Sequence, residues 1–435
     1  MSASCSKINE RLKCNKPLRC ILDEYANARR QVIVEAFLSA LTVGWDKGGG
    51  TFVTPSSKPI EMQSHDPTRY AGDMLAWLHQ AAASEKEYLL SLTSENADKD
   101  IIYDCLNSIT SGLTHPLQLR LEQMLVTEHN PVLLYKVNNL LQFYSNVVMN
   151  LMGQNCTLYT TLSDLQLLSW NLFVSALQRQ TSELLADTGP PHHELLPSMS
   201  AMDVTRLLEA ILTAQDMSCA LPDVRKAKCE EIVSIAVTPL LQHFEIMARR
   251  FITNDNQAPD QTVDPTILPP EAYVYLVNCL HALHNALSRL EFTGAQIAAL
   301  AARLEEVMSC LTQLQAAHAI TRAGLYCLNE AISTPSEVPL ADRGPGCSQP
   351  EVINAFRAFN TVYLSGPDAW ELPETSQIAF PRPRNALRRR TADLVHSVYS
   401  ILYRAITDPT SGYTSPWPED LRTPEQVAEL LLPSS

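Results

Sequence analysis

Residues 64–89, SHDPTRYAGDMLAWLHQAAASEKEYL, bring together two histidines and four carboxylates. Such side chains bind metal ions or exchange protons in enzymes. A metal site needs several converging ligands, whereas His65 and His79 would lie ~20 Å apart along a helix that rises about 1.5 Å per residue. His79 also precedes Gln80, where a zinc protease motif has glutamate. The segment is therefore predicted to contain neither a catalytic nor a metal site.

A second histidine pair lies in CLHALHNAL, where His281 and His284 are three residues apart and would share one helical face. That spacing suits two metal ligands, but no carboxylate motif accompanies it, so two helix histidines at a packing edge are the preferred interpretation. His192 and His193 lie in a proline-rich joint and are predicted to be exposed. An α-helical metal-dependent enzyme that uses the pair at 281 and 284 is kept as the alternative from another class.

Common catalytic and nucleotide-binding motifs do not occur in the sequence: it contains no G-x-S-x-G, G-x-x-x-x-G-K-[ST], G-x-G-x-x-G or H-E-x-x-H. These motifs place nucleophiles, phosphate-binding backbone or zinc ligands in a fixed local geometry. We therefore assign no catalytic, cofactor-binding or metal-binding residue, and the protein is predicted not to be an enzyme.

One concentration of positive charge remains, in PRPRNALRRR: Arg382, Arg384, Arg388, Arg389 and Arg390. Positive charge is better placed at the C-terminus of a helix than in its first turns, so solvation alone is not a complete explanation. Near an anionic leaflet each arginine could contribute at most ~1 kcal/mol, which suffices for weak recruitment. The cluster is predicted to be a partner or membrane surface, with an acidic protein and a lipid leaflet both open and plain solvation as an equal alternative.

Composition indicates which elements must position these residues. The chain has 435 residues, 46% of them hydrophobic, and only 14 glycines, so regular structure is rarely interrupted and helices are favoured. A net charge of −14 argues against general nucleic-acid binding, which depends on lysine and arginine. The eleven cysteines include no C-x-x-C pair and mostly lie in apolar helical stretches, as is typical of buried thiols in a reducing compartment.

No apolar run reaches the ~18 residues of a membrane-spanning helix. The nearest candidate, residues 131–152, is interrupted by Lys136. The first twenty residues carry charges throughout, which argues against a signal peptide. Any action at a membrane is therefore expected to take place at its surface.

Proline clusters mark predicted joints between helices, at 45–59, 187–197, 254–270, 333–350 and 365–383. Between them apolar residues recur every three or four positions, as in 384–408, where Asp408-Pro409 should end the helix. Another stripe starts at Ile297 and predicts a helix that runs past Cys327. No strand pair or fixed repeat is found, so we predict an all-α protein, an elongated rod of stacked helical bundles.

Four segments are predicted. Residues 1–63 would be a remnant of an N-terminal helical region followed by a flexible loop rich in glycine and proline, and 64–190, 191–335 and 336–435 would be helical bundles. The first bundle would begin at Asp66-Pro67, a strong helix start. An apolar stripe follows, formed by Tyr70, Met74, Trp77, Leu78, Ala81 and Leu89. Trp77 is predicted to be a core residue, while His79 and Glu85 are predicted to lie on a solvated face.

Seven segments in order carry a family resemblance: LDEYANARRQVIVEAFLSALT (22–42), the segment 64–89, VLLYKVNNLLQFY (132–144), LEFTGAQIAAL (290–300), ITRAGLYCLNEAI (320–332), FRAFNTVYLSGPD (356–368) and RTPEQVAELL (422–431). Together they resemble the sixth-subunit family of the conserved oligomeric Golgi complex. The segment 64–89 is specific, and the others are persuasive through their order. The resemblance covers nearly the whole chain from about Leu22.

The resemblance implies a non-enzymatic subunit of a multisubunit vesicle tether, of the helical-rod class that includes exocyst subunits. It implies retrograde intra-Golgi transport, and hence retention of glycosylation enzymes. It also implies peripheral contact with the cytosolic face of the Golgi membrane, together with other subunits of the complex, SNAREs and Rab GTPases. Another helical-rod tether or scaffold subunit is the nearest alternative. No cofactor and no nucleic acid are implied.

The sequence departs from the family before Leu22, where family members have a long helical and coiled-coil region and this chain has some twenty residues. The resemblance places subunit assembly largely in that region. The chain alone is therefore expected to be a soluble helical monomer that co-purifies weakly with the complex. The stretch GWDKGGGTFVTPSSKP, residues 44–59, is predicted to be a flexible loop.

Overall fold

The computed structural model describes residues 2–44, 58–92, 99–186, 193–216, 221–253, 268–334, 338–364, 366, 369–414, 417–418 and 421–431. Within these ranges the prediction of an all-α fold is confirmed, because they contain thirteen α-helices and no strand. The helices are α1 (Ser2–Thr42), α2 (Pro67–Leu92), α3 (Lys99–Thr127), α4 (Pro131–Met152), α5 (Thr157–Ala186), α6 (Met199–Asp216), α7 (Pro222–Thr253), α8 (Pro270–Leu287), α9 (Gly294–Arg322), α10 (Tyr326–Ser333), α11 (Gln349–Leu364), α12 (Pro381–Thr407) and α13 (Pro424–Leu431). Most of the predicted loop at 44–59 lies outside the described residues.

The predicted start of α2 is confirmed. Pro67 is its first residue, and the Asp66 carboxylate accepts hydrogen bonds from the backbone N–H groups of Thr68 and Arg69, both at 3.1 Å. Such bonds satisfy donors that have no partner inside the helix. The stop predicted for α12 is confirmed too, since that helix ends at Thr407.

Two features of the helices differ from the sequence prediction. The helix that begins at Gly294 ends at Arg322 instead of running past Cys327, because the backbone at Gly324 takes a φ of 73° and α10 begins beyond it. Prolines are also not confined to joints: Pro116 lies inside α3 and Pro239 inside α7. Burial of the surrounding apolar turns must compensate there for the lost backbone hydrogen bond.

Contacts divide the chain into two compact units. Unit 1 comprises Met1–Glu183 and Arg206–Ala236, and unit 2 comprises Leu184–Thr205 and Val237–Ser435. Helices α5, α6 and α7 therefore contribute residues to both units. The finer division into four segments stays a prediction.

In unit 1, α1 packs along α3 and touches α2, which in turn packs on α3 and α4. The approach of α1 to α3 requires glycine at position 112, since a Cβ there would lie 2.8 Å from Val34 Cγ2 and 2.9 Å from Arg30 Cγ. Leu78 of α2 is fully buried, whereas Trp77 is half-buried with its ring 5.1 Å from that of Phe37. The apolar stripe of α2 is thus a core face, and Trp77 lies at its edge.

In unit 2, α8 packs against α9, α9 against α12, and α12 against α13. The main core of this unit joins α9 to α13 and includes the buried residues Leu325, Val352, Phe356, Phe359, Tyr399 and Leu402. Tyr399 donates a hydrogen bond from its hydroxyl to the carbonyl of Arg422, at 2.8 Å. Among the described residues, no helix is long and apolar enough to cross a bilayer.

Candidate partner surface at the start of α12

Arg384 is held by the turn that precedes α12. Its guanidinium donates hydrogen bonds to the carbonyl oxygens of Ser376, at 2.8 Å, and Ile378. The side chain therefore closes the 3-10 turn Pro373–Gln377 onto the helix. This contact accounts for one positive charge in the first turn of α12, where the helix dipole alone would disfavour it.

Two further arginines of the cluster form paired hydrogen bonds with carboxylates. Arg388 binds Glu371 with Nε and Nη2, at 2.6 and 3.1 Å, and the Glu371 side chain is only 9% exposed. Arg390 binds Glu305 of α9 with both terminal nitrogens, each at 2.8 Å. Such two-point pairs fix the geometry of both partners. Three of the five arginines are thus engaged within the chain.

Arg382 and Arg389 differ from these three. Both are exposed, and neither has a hydrogen bond or ion pair with another residue in the described part of the chain. Fewer arginines are therefore free to bind another molecule than the five that the sequence suggested. Binding by all five arginines stays a prediction. Arg382 and Arg389 are the two members that could bind another molecule without first breaking a contact within the chain.

Asn278 of α8 positions the start of α12. The side chain is fully buried and donates hydrogen bonds to the carbonyl oxygens of Leu195, at 2.9 Å, and Gln377, at 3.0 Å, while its amide oxygen accepts from the N–H of Ala379, at 2.9 Å. Buried amides are stabilising only when their groups are paired. Asn278 was not among the candidate residues from the sequence, although one asparagine inside the apolar run YLVNCL was a usable signal.

The anchor places Phe380 against the histidine pair of α8. The rings of His281 and Phe380 lie 4.6 Å apart, and the rings of His281 and His284 are parallel to within 7° at 6.4 Å. Burial lowers the pKa of His281 below its usual value, and His284 and Arg382 add to this effect. Within the described ranges, no group of three histidine, cysteine, aspartate or glutamate side chains could hold a metal ion. The ring of His281 thus packs beside Phe380, the residue that precedes α12, and the interpretation of the pair as a packing edge stays a prediction.

The other histidines singled out from the sequence, where the structure describes them, lie in separate surroundings. His65 contacts the carbonyl of Met62 through Nδ1, at 3.1 Å, whereas the ring of His79 lies beside Tyr144, 6.4 Å between centroids. His193 is exposed, as predicted, and His192 lies outside the described residues. Together these positions offer no shared site in the described chain.

The interpretation of Glu85 as a solvated residue is wrong. Its side chain is 3% exposed and accepts two hydrogen bonds from Arg29 of α1, one of them from Nε at 3.1 Å. Arg29 also lies over the ring of Tyr88, 5.7 Å from its centroid. The amphipathic pattern of α2 alone predicts a solvated carboxylate here, because it does not reveal that α1 packs against this helix.

A cleft of about 680 Å³ in unit 2 lies between α7, α8 and α9. Its charged lining is largely self-paired, since Arg303 binds Glu245 at 3.2 Å and Glu306 at 2.7 Å. Apolar walls come from residues such as Leu276 and Val307.

Comparison with known proteins decides the family. The family profile described as "Conserved Oligomeric Golgi complex subunit 6, C-terminal" matches residues 4–431. The chain belongs to this family. Conserved oligomeric Golgi complex subunit 6 of Rattus norvegicus is 33% identical over 418 residues, which cover 94% of this chain and 60% of the relative. The Homo sapiens subunit is also 33% identical, and the Drosophila melanogaster subunit is 31% identical over 426 residues.

The chain spans about three fifths of the length of these subunit 6 relatives. Solved structures similar to it include the exocyst subunit Exo70p, with a TM-score of 0.58 and 13% identity over 98% of this chain and 78% of that one. A second structure of Exo70, from S. cerevisiae, has a TM-score of 0.55 at 14% identity and covers 97% of this chain and 77% of that one. At such low identity the likeness shows a shared helical fold. The family profile and the subunit 6 relatives confirm the resemblance inferred from the seven segments.

Proposed function

We propose that this chain is a non-enzymatic subunit of a tethering complex for retrograde intra-Golgi transport. The family match across residues 4–431 carries this proposal, and the fold shared with an exocyst subunit supports it. The subunit acts with the other subunits of the oligomeric Golgi complex and with SNAREs and Rab GTPases. It works peripherally on the cytosolic face of the Golgi membrane, where it keeps glycosylation enzymes resident.

Affinity purification with mass spectrometry tests the assembly. The tagged chain is expressed beside a version extended by the N-terminal coiled-coil region of a relative, with an unrelated tagged helical protein as control. We expect the extended version to recover the other subunits in stoichiometric amounts and the short chain to recover them weakly. Recovery at control level by both versions would contradict the proposal. Stoichiometric recovery by the short chain would place the assembly surface in the helices described above.

We also propose that Arg382 and Arg389 contact an acidic surface, on a partner or on the Golgi leaflet. Their exposure supports this, because each can meet an anion without losing a contact inside the chain. Arg388 is unsuitable for the test, since its reversal would leave Glu371 without its partner.

Joint charge reversal, Arg382→Glu with Arg389→Glu, should reduce recovery on anionic vesicles or with partner subunits at low ionic strength, where such contacts are strongest. Arg404→Glu, an exposed position in the last turn of the same helix, is the matched control. Circular dichroism should stay unchanged in both variants. Equal recovery of wild type and the double variant would mean that the two arginines are solvated side chains without a binding role.

A further inference from the structure

Helix α1 has two apolar faces. The first packs inside unit 1 and includes the buried residues Leu22, Ile33 and Phe37. The second follows steps of four, three and four residues along the same helix and consists of Ile21, Tyr25, Ala28 and Val32. A surface helix normally has polar residues outside its core face, so a second apolar stripe needs a reason. Ile21 is 66% and Val32 is 50% exposed, so the part of the chain that the structure describes leaves this stripe uncovered.

Helix α2 runs beside this stripe. Arg29 of α1 binds Glu85 of α2 through Nε, at 3.1 Å. Further along α1 the ring of Phe37 lies 5.1 Å from that of Trp77, which comes earlier in α2, so the two helices are antiparallel. The exposed ring of Tyr88 has its centroid 5.7 Å from the guanidinium of Arg29 and adds an aromatic side chain beside the stripe. We call this area the α1/α2 surface, and its members are Ile21, Tyr25, Ala28, Val32 and Tyr88.

Three unpaired carboxylates border the α1/α2 surface. Glu24 and Glu35 lie on α1 within one turn of the stripe, and Glu87 directly precedes the tyrosine of α2. All three are exposed, and none has a hydrogen bond or ion pair with another residue in the described part of the chain. Their negative charge is therefore left for another molecule to neutralise.

The cations of α1 and α2, where the structure describes their side chains, are engaged in contacts of their own. Their partners are Glu85 for Arg29, the carbonyl and hydroxyl oxygens of Ser108 for Arg30, the carbonyl of Leu151 for Lys86 and Asp73 for Arg69. The α1/α2 surface thus combines exposed apolar side chains with an excess of negative charge.

An amphipathic helix fits such a surface. Steps of four and three residues are those of a coiled-coil seam, in which the side chains of one helix insert between those of another. Acidic side chains beside the seam complement a helix whose own apolar stripe is flanked by lysine or arginine. We propose that the α1/α2 surface docks a basic amphipathic helix of a partner protein. The inference goes beyond the tethering proposal and the arginine surface of α12, and a failed test here would leave both of them standing.

Photo-crosslinking in the intact chain identifies what lies on the surface. Val32 is replaced by photoreactive p-benzoylphenylalanine in cells that express the full chain, and Val126, which is 61% exposed on α3 of the same unit, is replaced in the control. We expect position 32 to crosslink to one segment of a partner protein, which mass spectrometry shows to have apolar residues at three- and four-residue steps flanked by lysine or arginine.

Three results of this experiment would overturn the proposal. The first is the absence of a protein crosslink at position 32, and the second is the same set of crosslinks from both positions. The third is a crosslinked segment that is acidic or that belongs to a second copy of this chain.

Two synthetic helices test the charge complementarity with the purified chain. Both are about 21 residues long and have leucine at the core positions of a coiled coil, but one has lysine and the other glutamate at the flanking positions. Fluorescence anisotropy should show that the lysine peptide binds roughly tenfold more tightly at low ionic strength, and that salt reduces this advantage because exposed charges are screened. Equal affinity of the two peptides would contradict the proposed partner chemistry.

Two sets of variants assign the binding to the α1/α2 surface. Ile21→Ser with Val32→Ser should weaken binding of the lysine peptide about tenfold, because less apolar area is buried, whereas Leu119→Ser with Val126→Ser, an exposed apolar pair on α3, should leave it unchanged. Joint neutralisation, Glu24→Gln with Glu35→Gln and Glu87→Gln, should remove the preference for lysine over glutamate without changing circular dichroism. An equal loss in both serine variants, or a lysine preference that survives the neutralisation, would reject this surface as the docking site.

Discussion

The ion pair between α1 and α2 in unit 1 lies deeper than two of the ion pairs of unit 2. In unit 1, Glu85 is 3% exposed and joins α2 to Arg29 of α1. In unit 2, Arg303 and Arg390 pair on the surface, where they are 48% and 40% exposed. Ion pairs at the surface contribute little to stability, whereas one that is buried on one side is costly to break. The pair at Glu85 therefore holds α1 to α2, whereas the pairs formed by Arg303 and Arg390 are expected to add little stability.

Lys228 extends the contrast. Its ammonium group in unit 1 donates hydrogen bonds to the amide oxygens of Asn138, at 3.2 Å, and Gln142, at 3.1 Å, and lies 5.0 Å from the ring centroid of Trp170. Burial lowers the pKa of Lys228. A cation that links α7 to α4 and α5 in this way acts inside the unit, unlike the exposed arginines of α12.

The largest expected effect tests whether the two units are separate in stability. Phe37→Ala in unit 1 and Phe356→Ala in unit 2 each remove a fully buried ring and should cost about 3–5 kcal/mol. Each should increase hydrogen exchange at the protected amides of its own unit, measured by mass spectrometry. Phe143→Ala, at a 40% exposed ring, is the control. If Phe37→Ala opens unit 2 to the same extent, the units unfold as one.

The second prediction concerns the ion pair between Arg29 and Glu85, whose two side chains differ in exposure. Arg29→Ala should cost about 3 kcal/mol because it leaves the Glu85 carboxylate buried and unpaired. Glu85→Ala should cost only about 1–2 kcal/mol, since Arg29 is 31% exposed and its charge can be solvated.

Urea denaturation measures both values, with Glu87→Ala as the exposed control on the same helix. If Glu85→Ala leaves the free energy of unfolding unchanged, the prediction that Glu85 lies on a solvated helix face would be correct after all. Equal costs for the two variants would mean that desolvation of the carboxylate does not dominate.

The smallest effect concerns acid stability in unit 2. His243 is 4% exposed, and burial lowers its pKa, with a further contribution from Arg250. The unfolded chain then binds more protons than the folded one below the ordinary histidine pKa of about 6.5. Stability that is present above this pH should be lost as pH falls from there toward the lower pKa of the folded state.

Hydrogen exchange in urea at several pH values follows this loss for unit 2. His243→Gln should flatten the pH dependence, whereas His193→Gln, at an exposed ring, should leave it unchanged. If the stability of unit 2 depends on pH equally in wild type and in His243→Gln, this residue is not the source of the acid sensitivity.

Much of the helical organisation could be predicted because its causes are local. Asp66 and Pro67 start α2 through contacts within one turn, and the Asp-Pro step ends α12 in the same way. The predicted continuation of α9 past Cys327 is wrong because the local cue at Gly324 was missed. Pro116 lies inside α3, where packing outweighs the local preference of proline. The arginine cluster was found from composition alone, but its division into paired and accessible members was not.

The sequence by itself determined the all-α class, the family and the positions of most helices, since periodicity and capping act over a few residues. Only the tertiary structure decided which charges are buried and which are exposed. The pair between Arg29 and Glu85 spans 56 residues, and the pair between Arg390 and Glu305 spans 85. Whether a carboxylate meets water or a guanidinium depends on the helix that packs over it, and no local pattern encodes that neighbour.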